Sequence, residues 1–175
     1  LIKAIKKSKL NPEKDVLISL DVASSEFFSE KKYLLKSDNK QLKSLEMVDY
    51  LNNMLKKYPI FSIEDGCSED DWDGWIALNK KLSEDVLLVG DDLFVTNKTR
   101  LEKGIKINAA NSILIKPNQI GSLSETLETI NLAKSNNIEN IISHRSGETE
   151  DCFIADLAIG TNSRFIKTGS VTRSE

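Results

Sequence analysis

The feature that most constrains this chain is a rhythm. Short apolar runs at Val16–Leu20, Ile60–Ile63, Val86–Val89, Ser112–Ile115, Asn140–Ser143 and Arg164–Ile166 alternate with stretches at helical spacing. Val48, Leu51 and Leu55 share one helical face, with Pro59 just past its end. Leu123, Leu127 and Ile130 share another, introduced by Ser122 and Glu125 as a capping box. Trp72, Trp75, Ile76 and Leu82 form a third, and both tryptophans are expected to pack against a sheet. Between Ser25 and Lys36 the mixture of aromatic and charged residues suits a small hairpin. Apolar strands joined by helices require a parallel sheet covered on its faces, which is an α/β fold.

Such a sheet either stays open or closes into a barrel, and the polar residues choose. Each run ends in a charged or polar group: Asp21, Glu64, Asp91, Lys116, His144-Arg145 and Lys167. The intervals between them are 43, 27, 25, 28 and 23 residues, the first lengthened by the hairpin and the rest one strand-helix unit each. In a barrel the carboxyl ends of all strands converge on one mouth, whereas an open sheet spreads them along a line. The expectation is a (β/α)8 TIM-type barrel with six strand-helix units in residues 1–175, treated as one domain. Two strands are expected upstream and the last helix downstream. The chain opens at Leu1, carries methionine only at Met47 and Met54, and stops at Glu175, which predicts a piece of a longer protein.

Composition narrows the classes of partner. With 24 basic and 27 acidic residues and no one-signed cluster, a nucleic-acid surface is not expected. The apolar runs are too short to cross a bilayer, and the basic opening Leu1–Lys7 lacks the apolar stretch of a signal peptide. Cys67 and Cys152 have no metal-type spacing and suit a reducing compartment.

The strand ends carry the chemistry. Asp21, Glu64 and Asp91 stand on three successive strands, and neighbouring strands lie about 4.8 Å apart, so three carboxylates can surround one cation. Oxygen ligands without paired Cys or His select a hard ion, with Mg²⁺ first. Acids after strands also serve as helix N-caps, and for Asp65, Asp92 and Asp151 that reading is at least as good. Lys116 and Lys167 end later strands. An ordinary lysine, with a pKa of about 10.4, is a poor base at neutral pH, but a nearby cation and partial burial loosen its proton. A salt bridge across the mouth is the plainer alternative for either lysine. In His144-Arg145-Ser146-Gly147, Arg145 can hold phosphate oxygens bidentately and Ser146 can add a hydroxyl or N–H. Gly147 suits a tight loop approaching phosphate. His144, the single histidine, is as well suited to a substrate contact as to a structural role.

These groups describe proton abstraction beside a metal-polarised carboxylate on a phosphorylated substrate, the pattern associated with the enolase superfamily. The wording of the segments agrees. Leu20-Asp21-Val22-Ala23-Ser24-Ser25-Glu26-Phe27 resembles the segment around the first metal ligand of enolases. Ser62-Ile63-Glu64-Asp65-Gly66 and Val89-Gly90-Asp91-Asp92-Leu93 resemble those around the second and third. Leu114-Ile115-Lys116-Pro117-Asn118-Gln119-Ile120-Gly121 resembles the catalytic-base segment, residues 143–151 the substrate loop, and Ile166-Lys167-Thr168-Gly169 the second lysine. The resemblance runs in order over essentially the whole chain.

It implies that Asp21, Glu64 and Asp91 bind Mg²⁺ and that Lys116 takes the carbon-2 proton of 2-phosphoglycerate on the way to phosphoenolpyruvate. Arg145, Ser146 and Lys167, with Lys116 itself, would contact substrate, and His144 would lie in the pocket. It also implies the C-terminal barrel of a two-domain cytoplasmic glycolytic enzyme that forms homo-oligomers. The glutamates that donate a proton and bind the leaving hydroxyl would lie upstream, so these 175 residues by themselves are expected to be inactive and poorly folded. An acid-sugar dehydratase shares the acids and a lysine but has no use for the Arg145-Ser146 phosphate site. A phospho-accepting signalling module built on Asp91-Asp92 and Lys116 leaves Asp21, Glu64 and His144 idle. A non-catalytic binding role at the cell surface is a further alternative known from the family.

Overall fold

A computed structural model describes residues 1–145, 147 and 150–169. They fall into two units, Leu1–Val89 and Gly90–Glu175.

The first unit begins with α1 (Ile2–Lys7) and β1 (Ile18–Asp21). There follow β2 (Phe28–Ser29), β3 (Lys32–Leu35) and β4 (Lys40–Leu42), then α2 (Ser44–Leu55), β5 (Ile60–Glu64), α3 (Trp72–Leu82) and β6 (Leu87–Gly90). β5 pairs in parallel with both β1 and β6. The expected hairpin is β2–β3, and β4 adds a third antiparallel strand that the sequence reading does not contain. Tyr33, Met47, Leu51, Ile63, Trp75, Leu78, Leu82 and Leu88 make the core of this unit. Gly66 lies where α2, α3 and β5 meet: a Cβ there would stand 3.0 Å from both Ile63 and Leu78 and 3.2 Å from Leu51.

α3 corrects the predicted face. Trp75 is fully buried, but Ile76 is exposed and Trp72 only half-buried; Gly74, Leu78 and Leu82 complete the buried stripe. The helix is phased by its N-cap, Asp71, which accepts the Gly74 N–H at 3.1 Å.

The second unit contains α4 (Lys98–Ile107), β7 (Ser112–Ile115), α5 (Pro117–Ile120), α6 (Leu123–Ser135), β8 (Glu139–Ser143), α7 (Phe153–Gly160) and β9 (Phe165–Lys167). β8 pairs in parallel with β7 and β9. α4 buries Leu101 and Gly104. Asn97 starts it, accepting the Arg100 N–H at 3.1 Å. The Phe94 ring fits between two glycines: a Cβ on Gly90 would stand 2.5 Å from its edge, and one on Gly104 would stand 2.8 Å from Cζ.

In α6 the capping box forms as expected, with the Ser122 hydroxyl accepting the Glu125 N–H at 3.3 Å. The buried face differs, consisting of Thr126, Thr129, Ile130 and Ala133, while Leu123 is exposed. Each threonine hydroxyl has a carbonyl four residues back, at 2.8 and 2.9 Å. The small residues are thus satisfied within the helix and allow close packing against α4.

One boundary shift is systematic. β1, β5, β6 and β9 each end one residue beyond the apolar run that announces them. Ladder bonds are made by main-chain groups, so Asp21, Glu64 and Lys167 belong to their strands. Among the described residues no helix is long and apolar enough to cross a membrane. Both cysteines are free.

Candidate active site

In the first unit, Asp21 and Glu64 are register partners on adjacent parallel strands. Residues opposite one another in a parallel pair project on the same face, so two carboxylates stand side by side at the strand ends. Asp21 is exposed, while Glu64 is 7 % exposed. The ladder continues past the strands, with Val22 N–H on the Glu64 carbonyl at 2.9 Å and Ser24 N–H on that of Asp65 at 3.2 Å. Ala23 and Asp65 take left-handed backbone angles, φ 46° and 44°. Asp65 is therefore not the helix cap that its position allowed; Asp71 fills that role for α3.

A buried network fixes the loop after Glu64. The Tyr33 hydroxyl donates to Asp71 Oδ2 at 2.6 Å and accepts the Ser68 N–H at 2.9 Å. Ser44 Oγ donates to the same carboxylate oxygen at 2.6 Å, and Trp75 Nε1 donates to the Ser68 carbonyl at 3.1 Å. Burial, then the neighbouring Cys67 and Asp71, push the Tyr33 hydroxyl well above its ordinary range. The Cys67 thiol is pushed up to about 12, chiefly by burial. The apolar pattern assigns Tyr33 no such role; its only signal is a phenol inside a hairpin.

In the second unit, Asp91 follows β6 and is 7 % exposed. Its carboxylate Oδ2 is ion-paired with Lys116 Nζ, whose side chain is 14 % exposed. Gln119 Nε2 lies 3.4 Å from Asp91 Oδ1. Lys116 stands just past β7 as the N-cap of α5. Arg145 Nη1 donates to Asn118 Oδ1 at 3.3 Å, which brings the phosphate-binding candidate to the base segment. The His144 N–H bonds the Lys167 carbonyl at 3.0 Å, at the paired ends of β8 and β9. The His144 Nδ1 is buried, with no hydrogen-bond partner among the described residues. Lys167, the last residue of β9, is half-buried. Ser146 lies outside the described residues. Gly147 has open space where a Cβ would be. Asp151 is not the N-cap of α7, which is Cys152; it stands one residue earlier and accepts the Phe153 N–H at 2.7 Å.

The unit thus pairs Asp91 with Lys116 and Asn118 with Arg145 through side chains, and His144 with Lys167 through main chain. Asn118 and Gln119 fall inside the base segment and Thr96 lies three residues past the third metal segment, yet sequence reasoning gives them no role, because a polar residue in a turn or a single helical turn has no period to betray it.

Comparison with known proteins gives the family. The family described as "Enolase, C-terminal TIM barrel domain" matches residues 1–175. The chain belongs to that family. The barrel expected from the strand-end convergence is therefore its fold class. A curated enolase from a Nitratiruptor species is 54% identical over 175 residues, all of this chain and 42% of the relative. The chain thus spans less than half the length of that enolase.

Proposed function

We propose that this chain supplies the metal- and base-bearing part of an enolase. The reaction is reversible dehydration of 2-phospho-D-glycerate to phosphoenolpyruvate in the cytoplasm, by a protein that is oligomeric when complete. The observation that carries the reading is the pairing of Lys116 with Asp91, proton acceptor against metal-binding carboxylate, within a chain matched to the family from end to end. The residues fit a hard cation. Asp21 and Glu64 stand side by side with like charge, Glu64 and Asp91 are nearly buried, and every candidate donor is a carboxylate oxygen. Asp21, Glu64 and Asp91 would hold Mg²⁺, which supplies Lewis-acid stabilisation of negative charge developing on the substrate carboxylate.

Lys116 Nζ takes the carbon-2 proton. Its side chain is mostly enclosed, which limits competition from water. Arg145 binds the phosphate through its planar fork, and Asn118 fixes that fork's direction. Ser146, His144 and Lys167 complete the substrate contacts by family resemblance, and Lys167 and His144 are held together by their strand pairing. Hydroxide departure requires a proton donor that none of these residues supplies.

The test is exchange of the carbon-2 proton with solvent in a full-length enolase carrying this chain. Lys116→Ala should lose exchange by about 10²–10⁴-fold, the usual contribution of a general base. Arg145→Ala should chiefly raise KM for the phosphorylated substrate. Rapid exchange in the Lys116 variant would refute the assignment.

A further inference from the structure

Asp91 and Lys116 are joined by a closed ring of bonds through two polar residues. The Thr96 hydroxyl accepts the Lys116 N–H at 2.9 Å and donates to Gln119 Oε1 at 3.1 Å. The Asp91 carboxylate only accepts, so it takes the Gln119 amide nitrogen, with Nε2 3.4 Å from Oδ1, and this leaves Oε1 to accept the Thr96 hydroxyl proton. The ring closes where Lys116 Nζ pairs with Asp91 Oδ2. Thr96 is fully buried. Val95 and Thr96 both take left-handed angles, φ 45° and 55°, where β-branched residues rarely sit. Such conformations persist only where the surroundings over-determine them, and they gather at functional sites. Here Val95 N–H bonds the Asp91 carbonyl at 2.7 Å, and the Thr129 hydroxyl, whose one proton is shared with the Glu125 carbonyl, lies 3.1 Å from the Thr96 carbonyl. The strained loop therefore begins at the carboxylate and ends at the hydroxyl that holds the lysine's main chain.

We propose that Thr96 and Gln119 are positioning residues that set Lys116 against Asp91. Lysine reaches its target along four rotatable carbons, and fixing both its main chain and its carboxylate partner removes freedom that would blur the approach to carbon 2. The inference rests on Lys116 being the base.

The experiment compares Thr96→Val, Thr96→Ser, Gln119→Met and Lys116→Ala in a full-length enolase carrying this chain. Thr96→Val keeps the shape and deletes both hydroxyl bonds; Gln119→Met keeps the length and deletes both amide bonds. Each should lower kcat about 10–100-fold, the usual cost of losing a residue that orients a functional group, with KM little changed. Thr96→Ser should recover most of the loss. In the metal-free protein the Lys116 amide should exchange with D₂O faster in Thr96→Val and normally in Thr96→Ser. Wild-type kcat in Thr96→Val, loss confined to KM, or unchanged amide exchange overturns the inference. Should Thr96→Val not fold, Gln119→Met decides: lowered kcat at constant KM supports positioning, and wild-type kcat overturns it. Lys116→Ala separates the two levels. If it retains carbon-2 exchange, the base assignment falls and takes this inference with it. An inactive Lys116→Ala beside fully active Thr96→Val and Gln119→Met sinks only the positioning.

Discussion

Tyr33→Phe tests how the loop behind Glu64 is held. The substitution preserves ring packing and removes one oxygen. That oxygen donates to the Asp71 carboxylate at 2.6 Å and accepts the Ser68 N–H at 2.9 Å. A hydrogen bond to a charged group is worth about 1.5–3 kcal/mol, and stranding a buried N–H costs about 1–3 kcal/mol more. Asp71 keeps Ser44 Oγ and the Gly74 N–H, which limits the damage on its side. The expected loss is therefore about 3 kcal/mol, which lowers the Tm of a full-length enolase carrying this chain by several degrees. Urea titration followed by tryptophan fluorescence suits the measurement, since Trp75 Nε1 bonds the carbonyl of the same Ser68. A pH series adds a second arm. The Tyr33 pKa is raised above its ordinary 10.0 in the folded state. The folded protein therefore keeps a proton that the unfolded chain gives up. This stability is fully present below pH 10 and is lost as pH rises towards the folded value. The gap between wild type and Tyr33→Phe should accordingly narrow above pH 10. A loss under about 0.5 kcal/mol, within the range of ordinary surface substitutions, would refute the network as a support of the loop.

Gly104→Ala should destabilise despite alanine's better helix propensity, because a Cβ meets the Phe94 ring at 2.8 Å. Overpacking costs about 1–3 kcal/mol against a propensity gain of about 1 kcal/mol, and a Tm at or above wild type would contradict it. Cys67 should resist iodoacetamide at pH 8, since burial pushes its thiol up to about 12, while the exposed Cys152 is alkylated first; peptide mass spectrometry reads the order. Asp91→Ala should weaken calorimetric Mg²⁺ binding steeply, by analogy with other lost charged ligands, and Asp92→Ala only mildly. Equal losses, or normal binding in the Asp91 variant, would move the ligand assignment.

The sequence by itself determined the alternation of strands and helices and the polar residue that closes each strand. Both are written in local periodicity, which announces each element and where it ends. The same local record brought out Asp21, Glu64, Asp91, Lys116 and Arg145 as candidates, because charged residues one or two positions past an apolar run are conspicuous. Tertiary structure decided what periodicity does not encode. It turned Ile76 outward and chose Thr126 and Thr129 over Leu123 for the buried face of α6, since a helix's rotation is set by what packs against it. It wedged Phe94 between Gly90 and Gly104, a fit that only the folded loop brings together. And it bound Thr96 and Gln119 to Lys116, and Tyr33 to Asp71, because hydrogen bonds between distant side chains leave no period in the chain.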